Sequence, residues 1–210
     1  MALINNLPIE EVYNRIANQF DYTRHRIWGS VKKFMNGLEP NSKVLEIGCG
    51  NGKNMLYRTD LDFHGIDISE KQIDICKKKN LKVEKSDMIN LPFNDNIFDY
   101  EICIATYHHL DNDTDRQKAL YEMYRTLKKD GTILITVWAM EQELDSNFHF
   151  SSTDEMVPWK SKDDGNTYLR YYHIYRKNEL VNEIINLCPI FQIKSIEYEL
   201  GNWAIILIKK

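Results

Sequence analysis

Three glycines at alternate positions follow a short apolar segment in the first quarter of the chain. The segment Val44–Ile47 has residues typical of a β-strand, includes the acid Glu46, and leads directly into Gly48, Gly50 and Gly52. Glycine permits positive φ and close approach of a ligand to the backbone, and a helix start offers unpaired N–H groups. The pattern therefore predicts a strand, a tight turn and a helix N-terminus that together bind a bulky polar ligand.

Two further acids, Asp67 and Asp87, stand where later strands are predicted to end. An ionised carboxylate has two acceptor oxygens, so Asp67 can accept from both hydroxyls of a ribose. Asp87 can accept from an adenine amine while Met88 packs against the ring. Glu46 would repel a pyrophosphate, but it can accept from an ammonium group or balance a sulfonium. Taken singly, each acid also fits a solvated loop or a helix cap; together they favour a cationic nucleoside.

The glycine spacing itself argues against a dinucleotide ligand. The dinucleotide fingerprint is G-x-G-x-x-G, whereas this chain has G-x-G-x-G over residues 48–52. Ligands of open parallel sheets bind beyond the carboxyl ends of the strands, at the point where the strand order reverses. The acids and the glycine turn must therefore be positioned by such a sheet.

Apolar spacing predicts this sheet from alternating strands and helices, with helices on both faces. Ser69 followed by Gln72 is a capping-box pattern and marks a helix start. A polar, irregular segment from Met140 to about Asn166 is predicted to be a loop. The predicted strands cover 43–47, 63–68, 82–84, 98–105, 132–138, 190–199 and 201–208, the last two as an antiparallel hairpin. The predicted helices cover 9–20, 23–36, a short helix after residue 52, 69–79, 113–127 and 177–187, with 128–131 as an exit loop.

Composition indicates one ordinary soluble domain over residues 1–210, with a helical cap over 1–40 and a substrate-side loop over 141–176. Hydrophobic residues make up 43% and charged residues 28%, and the net charge of −4 gives no overall electrostatic case for nucleic acid. The longest apolar run, Trp203 to Ile208, is too short to span a membrane. The four cysteines are widely spaced with no C-x-x-C pair, which argues against a metal site and a disulfide framework and favours a cytoplasmic or nuclear compartment.

The motifs over residues 43–138 resemble the class I S-adenosylmethionine-dependent methyltransferases. That resemblance implies an α/β fold with a Rossmann-like seven-stranded mixed sheet, parallel except for a C-terminal antiparallel hairpin, and S-adenosyl-L-methionine as cofactor. Nearly the whole chain is similar to the eukaryotic tRNA wobble-uridine carboxymethyl methyltransferases, which esterify 5-carboxymethyluridine in the tRNA anticodon loop together with a small zinc-binding activator subunit. This closer resemblance rests on residues 16–24 with Trp28, 46–53, 104–109, 137–142, 157–159 and 170–176.

The resemblance implies a substrate carboxylate as the nucleophile. With a pKa near about 4, this group is already ionised at neutral pH and needs no general base. The site then needs a cation that orients the carboxylate, and aromatic rings that stack the flipped-out base. Catalytic candidates are Arg24, His109 and Arg170; substrate-binding candidates are Trp28, Trp138, Trp159, Tyr171, His173 and Arg176; cofactor-binding candidates are Tyr13, Arg24, Glu46, Gly48, Gly50, Asn51, Gly52, Asp67, Ile68, Asp87, Met88 and Ala105.

Some of these assignments have alternatives. Trp138 ends a buried strand and could be a core residue, and a single histidine is often structural. A small-molecule carboxyl or oxygen methyltransferase would have the same cofactor site, and a non-catalytic RNA-binding or assembly subunit would have the same fold. For tRNA, the best local cluster of phosphate-binding cations is Lys160, Lys162, Arg170, Arg176 and Lys177.

Overall fold

The computed structural model describes residues 2–5, 7–146 and 148–210. The helices are Ile9–Thr23 (α1), Gly29–Asn36 (α2), Glu70–Lys78 (α3), Asp113–Thr126 (α4) and Lys177–Leu187 (α5), with a 3₁₀ helix at Tyr107–His109. The strands are Leu3–Ile4 (β1), Lys43–Ile47 (β2), Asp62–Asp67 (β3), Val83–Lys85 (β4), Phe98–Ile104 (β5), Leu127–Trp138 (β6), Asp154–Lys160 (β7), Thr167–His173 (β8), Phe191–Glu199 (β9) and Asn202–Lys209 (β10).

Seven strands form the central sheet, in the order β4-β3-β2-β5-β6-β10-β9. Strands β2 to β6 pair in parallel, whereas β10 pairs antiparallel with both β6 and β9. The α/β fold with a C-terminal antiparallel hairpin is thus confirmed. Because β3 and β5 lie on either side of β2, the strand order reverses there, and a crevice opens at the carboxyl ends of these strands.

The alternation of side chains along β2 explains how both faces of the sheet are covered. Val44 packs into a cluster that contains Val31 from α2 and Ile73 from α3. Leu45 faces the other way, into a cluster that contains Leu120 from α4 and Ile184 from α5. Each face buries apolar side chains under two helices, and this packing fixes the carboxyl ends of the strands.

The predicted helix start at Ser69 is confirmed. The Ser69 hydroxyl oxygen accepts from the Gln72 N–H at 3.2 Å, so the side chain pairs one of the backbone N–H groups that the first turn of α3 leaves open. Among the described helices, none has both the length and the apolar character needed to cross a bilayer.

Two helix predictions near the glycine turn were wrong. The second N-terminal helix begins at Gly29 rather than Thr23, because α1 ends at Thr23 and an extended segment follows it. The buried Asn51 amide donates to the carbonyl of Arg24 at 3.1 Å, which pairs a carbonyl group just past the end of α1. After Gly52 the chain makes turns instead of a regular helix.

The predictions for two other segments also need correction. Residues Lys128–Gly131 are part of β6 rather than a loop between α4 and a shorter strand. The predicted loop from Met140 to about Asn166 contains β7, which pairs antiparallel with β8 in a second sheet of order β1-β8-β7. Strand β7 escaped prediction because Val157 and Trp159 are its only buried residues, and Pro158 between them is disfavoured within a strand.

Candidate active site

A cavity of about 310 Å³ lies over the carboxyl ends of β2, β3 and β5, beneath α1. It is the place where the strand order reverses, as expected for an open parallel sheet. The glycine turn, two strand-end acids and residues of α1 and β8 meet around it. Its walls are formed by residues that include Tyr13, Phe20, Arg24, Trp28, Glu46, Gly48, Gly50, Asn51, Lys53, Asn54, Asp67, Ile68, Asp87, Met88, Ala105, Thr106, His109, Trp138, Phe148, Arg170 and Tyr172.

The glycine turn forms the floor of the cavity. Gly48 has a φ of +72°, and a side chain at this position would overlap the Thr106 side chain. Gly48 and Gly50 line the cavity, whereas the space beside Gly52 is filled by Leu81 and Cys76. Gly52 therefore lies on the side of the turn that faces away from the cavity. The prediction that it contacts the cofactor directly does not fit this position.

Asp67 is held at the end of β3 by backbone groups. One carboxylate oxygen accepts from the Gly50 N–H at 2.8 Å and the other accepts from the Ser69 N–H at 2.8 Å. Burial raises the pKa of Asp67 to about 6, so the group is mostly ionised at neutral pH. Each oxygen keeps a lone pair, and the pair of oxygens can accept from two adjacent hydroxyls.

Glu46 presents an unpaired oxygen. Its side chain is 1% exposed, and Oε1 accepts from the Asn54 amide at 2.7 Å. Oε2 is buried and has no hydrogen-bond partner among the described residues. Burial raises the pKa of Glu46 to about 8. Buried polar atoms are normally paired, so this oxygen indicates a donor on the ligand.

The remaining cofactor candidates lie along the same side of the cavity. Ile68, Asp87 and Met88 line it beside Asp67, and Ala105 lines it at the end of β5. Ala105 has a φ of +52°, a conformation that is uncommon outside glycine and often marks a functional site. The structure therefore brings together every predicted cofactor-binding residue except Gly52.

Arg170 is a buried cation in the opposite wall. It is 6% exposed, and its Nη1 donates to the Tyr172 hydroxyl at 2.8 Å. Its guanidinium carbon lies 5.0 Å from the centroid of the Trp159 ring. Within the described part of the chain no carboxylate forms an ion pair with Arg170. Buried charges are normally paired, so Arg170 indicates an anionic ligand.

Arg24 lines the same wall closer to solvent. Its guanidinium carbon lies 4.9 Å from the centroid of the Trp159 ring, so one indole contacts both arginines. Cation–π contacts of this kind hold a guanidinium in place without neutralising it. Trp159 itself is buried behind the arginines and does not line the cavity. Its contacts are with the cations, rather than with space that a base could fill.

His109 lines the cavity as a neutral side chain. Its Nδ1 lies 2.8 Å from the Tyr171 carbonyl oxygen, and its Nε2 lies 2.9 Å from the Tyr13 hydroxyl. Burial lowers the pKa of His109 to about 3. The expectation that His109 could supply a positive charge is therefore wrong, because desolvation and the nearby Arg170 both disfavour the imidazolium.

The aromatic candidates occupy different environments. Trp28 and Trp138 line the cavity. The Trp138 ring stacks on Tyr172 with centroids 4.3 Å apart and also lies 4.9 Å from the centroid of Phe148. Trp138 is therefore partly packed against Tyr172 and Phe148 and partly open to the cavity.

Besides Trp159, three predicted substrate-binding residues lie outside the cavity. Tyr171 faces away, with its hydroxyl on Asp154, although its carbonyl holds His109. His173 lies between two acids, 2.9 Å from Asp154 and 3.0 Å from Glu179, and this interaction joins β7, β8 and α5. Arg176 is exposed at the start of α5.

Several cavity residues were missing from the predicted site, among them Lys53, Asn54 and Tyr172. Lys53 directly follows the third glycine, and Asn54 is the partner of Glu46. Tyr172 stands two residues from Arg170 in β8, and this spacing puts both side chains on one face of a strand. The two-residue spacing of Arg170 and Tyr172 is the one feature of the sequence that could have identified a missed cavity residue.

The chain matches known methyltransferases. A family profile described as "Methyltransferase domain" matches residues 45–135. Over 225 aligned residues the chain is 34% identical to the tRNA (carboxymethyluridine(34)-5-O)-methyltransferase of Schizosaccharomyces pombe, with 97% of each chain covered. Over 255 aligned residues it is 30% identical to the tRNA (carboxymethyluridine(34)-5-O)-methyltransferase alkbh8 of Xenopus tropicalis, covering 96% of this chain but 40% of that protein.

Among solved structures, a methyltransferase of Haloferax volcanii in complex with the Trm112 methyltransferase activator has a TM-score of 0.70. It is 14% identical, and the match covers 96% of this chain and 97% of that one. At this identity the likeness shows the fold alone. On the strength of the nearly full-length Schizosaccharomyces match, the chain belongs to the tRNA (carboxymethyluridine(34)-5-O)-methyltransferase family of the S-adenosylmethionine-dependent methyltransferases.

Proposed function

We propose that this chain methylates the carboxylate of 5-carboxymethyluridine at the tRNA wobble position, with S-adenosyl-L-methionine as the methyl donor. The observation that carries the proposal is Arg170, a buried cation in the cavity wall with no carboxylate partner among the described residues. An anionic substrate would supply the missing charge. The family relationship supports this choice of substrate, because the two relatives compared above are named for carboxymethyluridine methylation.

The residues present fit the proposed methyl donor. The unpaired Glu46 oxygen suits an ammonium group, and the Asp67 carboxylate suits the two hydroxyls of a ribose. Asp87 and Met88 lie beside Asp67 and suit an adenine ring. The acids on this side of the cavity favour a ligand that carries positive charge.

When bound, S-adenosylmethionine supplies a methyl group that bonds to a carboxylate oxygen of the substrate as its bond to sulfur breaks and sulfur keeps the electron pair. Arg170 binds and orients that carboxylate, and Trp159 and Tyr172 keep the guanidinium in place. Arg24 adds a second cation at the mouth of the cavity. No residue has to remove a proton, because the carboxylate is ionised at neutral pH. Catalysis rests on orientation and fixed charge.

The tRNA would contact cations outside the cavity. Lys160, Lys162, Arg176 and Lys177 are exposed, and the four side chains belong to β7, the turn after it and the start of α5. Exposed cations of this kind bind phosphates and make affinity depend on salt. Arg170, which the sequence also placed in this group, is buried and belongs to the cavity instead.

A small zinc-binding activator is proposed as the partner, in line with the Haloferax volcanii methyltransferase solved with the Trm112 activator. We also propose a cytoplasmic location, extending to the nucleus, where the tRNA substrate is found. Co-expression of the chain with such an activator, followed by affinity purification and mass spectrometry, tests the complex. Recovery of the chain without its partner would argue against a stable heterodimer.

Labelled S-adenosylmethionine and hypomodified tRNA provide the test of the reaction. The purified chain with its activator should place label in the wobble nucleoside, as detected by nucleoside mass spectrometry. Label in small carboxylic acids but not in tRNA would indicate a small-molecule methyltransferase. Absence of S-adenosylmethionine binding in calorimetry would indicate a non-catalytic RNA-binding subunit. Either of these outcomes overturns the proposal.

A further inference from the structure

The cavity wall that contains Arg170 also contains an exposed aromatic ring. Phe148 lines the cavity and is 41% exposed, so part of its ring is open. Among the described aromatic residues, its ring contacts Trp138, with centroids 4.9 Å apart, and Phe150, with centroids 6.2 Å apart. Phe148 belongs to the connection between β6 and β7, and loops that a rigid scaffold positions often carry binding residues.

Ring contacts connect Phe148 to Arg170. The Trp138 ring stacks on Tyr172 with centroids 4.3 Å apart and planes 19° apart. The Tyr172 hydroxyl accepts from Arg170. Phe148 packs against Trp138, so it lies in the same wall as the cation and is separated from it by two rings.

Hydrogen bonds hold the segment that carries Phe148. The Phe148 N–H donates to the Ser146 hydroxyl at 3.1 Å, and this hydroxyl donates to the Gln142 side-chain carbonyl at 3.1 Å. The Gln142 amide donates in turn to the carbonyls of Ala139, at 2.7 Å, and Gly201, at 3.0 Å. The ring is thus positioned before a ligand binds, which reduces the entropy cost of binding.

The other rings of this wall are covered to a greater extent. Tyr172 is buried, and the rings of Trp138, His108 and His109 pack against it with centroids 4.3, 4.7 and 4.4 Å away. Trp138 is half-buried between Tyr172 and Phe148. Of Trp138, Phe148 and Tyr172, only Phe148 is exposed, so a planar group that approaches Arg170 meets an open ring face at this residue.

We propose that Phe148 determines the specificity for a pyrimidine base, by stacking on the ring of the methyl acceptor whose carboxylate Arg170 binds. The inference rests on the proposed function. In 5-carboxymethyluridine one methylene group separates the carboxylate from the ring, so a carboxylate on Arg170 holds its ring beside the aromatic residues of this wall. Stacking on a protein ring replaces the stacking that a base loses when it leaves the RNA. Arg170 recognises the charge of the acceptor, and Phe148 recognises its ring.

Binding of three anticodon stem-loops separates the contribution of the ring from that of the carboxylate. The stem-loops carry 5-carboxymethyluridine, uridine or an abasic ribose at the wobble position. Fluorescence anisotropy gives their affinities for the chain with its activator, in the presence of S-adenosylhomocysteine. The ratio of the uridine affinity to the abasic affinity measures the contribution of the ring. The ratio of the 5-carboxymethyluridine affinity to the uridine affinity measures the contribution of the carboxylate.

We expect Phe148→Leu to lower the uridine-to-abasic ratio about 5-fold, because an aromatic side chain that stacks a base is lost. The 5-carboxymethyluridine-to-uridine ratio should stay within about 2-fold of wild type. Phe148→Tyr keeps the ring and should keep both ratios. Tyr121→Leu removes a ring of α4 that is 43% exposed, so it is the matched control and should also keep both ratios. Because Phe148 is exposed, thermal unfolding of its variants should match the wild type.

An unchanged uridine-to-abasic ratio in Phe148→Leu overturns the inference and leaves the proposed function standing. An equal fall of both ratios also overturns it, because this result would show that the variant displaces Arg170. So does a loss in Phe148→Tyr as large as that in Phe148→Leu. A wild-type chain that does not distinguish 5-carboxymethyluridine from uridine overturns the proposed function itself.

Discussion

The two halves of the cavity differ in charge and in origin. The half built on the glycine turn contains the acids Glu46, Asp67 and Asp87, which come from one continuous stretch of the chain. The half built on α1 and β8 contains the cations Arg24 and Arg170, which come from distant parts of the chain. Lys53, next to the glycine turn, is a cation among these acids. The acids suit a cationic donor, and the two arginines suit an anionic acceptor.

The variant with the largest expected effect is Asp67→Ala, which tests donor binding separately from acceptor binding. Asp67→Ala removes both acceptor oxygens from the proposed ribose position and leaves two backbone N–H groups unpaired. Hydrogen bonds to a charged group contribute about 1.5–3 kcal/mol each, so S-adenosylhomocysteine should bind at least about 100-fold more weakly in calorimetry. Asp74→Ala, on the partly exposed face of α3, is the control and should bind normally. Equal affinity in wild type and Asp67→Ala would contradict the assignment of this half.

Arg170→Met should affect the other half alone. Removing the guanidinium takes away the proposed partner of the substrate carboxylate, and we expect kcat/KM for tRNA methylation to fall by about 100-fold. S-adenosylhomocysteine affinity should stay within about 2-fold of wild type, since Arg170 lies on the wall opposite the acids. Arg15→Met, which removes an exposed arginine of α1, is the control. A large loss of S-adenosylhomocysteine affinity in Arg170→Met would show that the two halves are not separate.

The pH dependence of binding tests the role of Glu46. Burial raises the pKa of Glu46 to about 8, so most of the ligand-free protein has a protonated Glu46 at pH 6. An ammonium group favours the ionised form, so binding releases a proton and the affinity rises with pH. From pH 6 to pH 7, S-adenosylhomocysteine should bind about tenfold more tightly in calorimetry. Glu46→Gln should remove most of this rise, and an unchanged pH profile in that variant would exclude Glu46 as its source.

The smallest expected effect concerns the surface outside both halves. The double variant Lys160→Ala and Lys162→Ala should weaken tRNA binding a few-fold and lower the slope of log affinity against log salt by about 2. Filter binding over a series of salt concentrations measures this slope. The matched control is the double variant Lys77→Ala and Lys78→Ala at the end of α3, which should keep the slope of the wild type. If the Lys160→Ala and Lys162→Ala variant also keeps the wild-type slope, the tRNA binds elsewhere on the surface.

The half built on the glycine turn could be predicted because local sequence determines it. Apolar periodicity marked β2 and β3, the glycines marked the turn, and the acids followed at strand ends. The Ser69 N-cap fixed the start of α3. Each of these signals depends on residues a few positions apart, and physical rules of turns and caps connect them directly to geometry.

The other half depends on contacts that the sequence does not show. Strand β8 alternates buried Tyr168, Arg170 and Tyr172 with less buried residues, but a buried arginine breaks the usual apolar pattern. The charge of His109 is decided by its burial and by nearby Arg170 of a different element, which both lower its pKa. Trp159 was recognised as aromatic, yet its contact with two arginines requires β7 and α1 to meet.

The parallel pairing of β1 with β8 has a consequence for the order of folding. The Ala2 N–H donates to the Asn166 side chain, 164 residues away, and Leu3 pairs with Thr167. Closing so long a loop costs more entropy than forming β2 beside β3, so the small sheet should form after the central one. Native-state hydrogen exchange should then find the lowest protection in β1 and α1. The chain would complete its nucleoside site first and its acceptor site last.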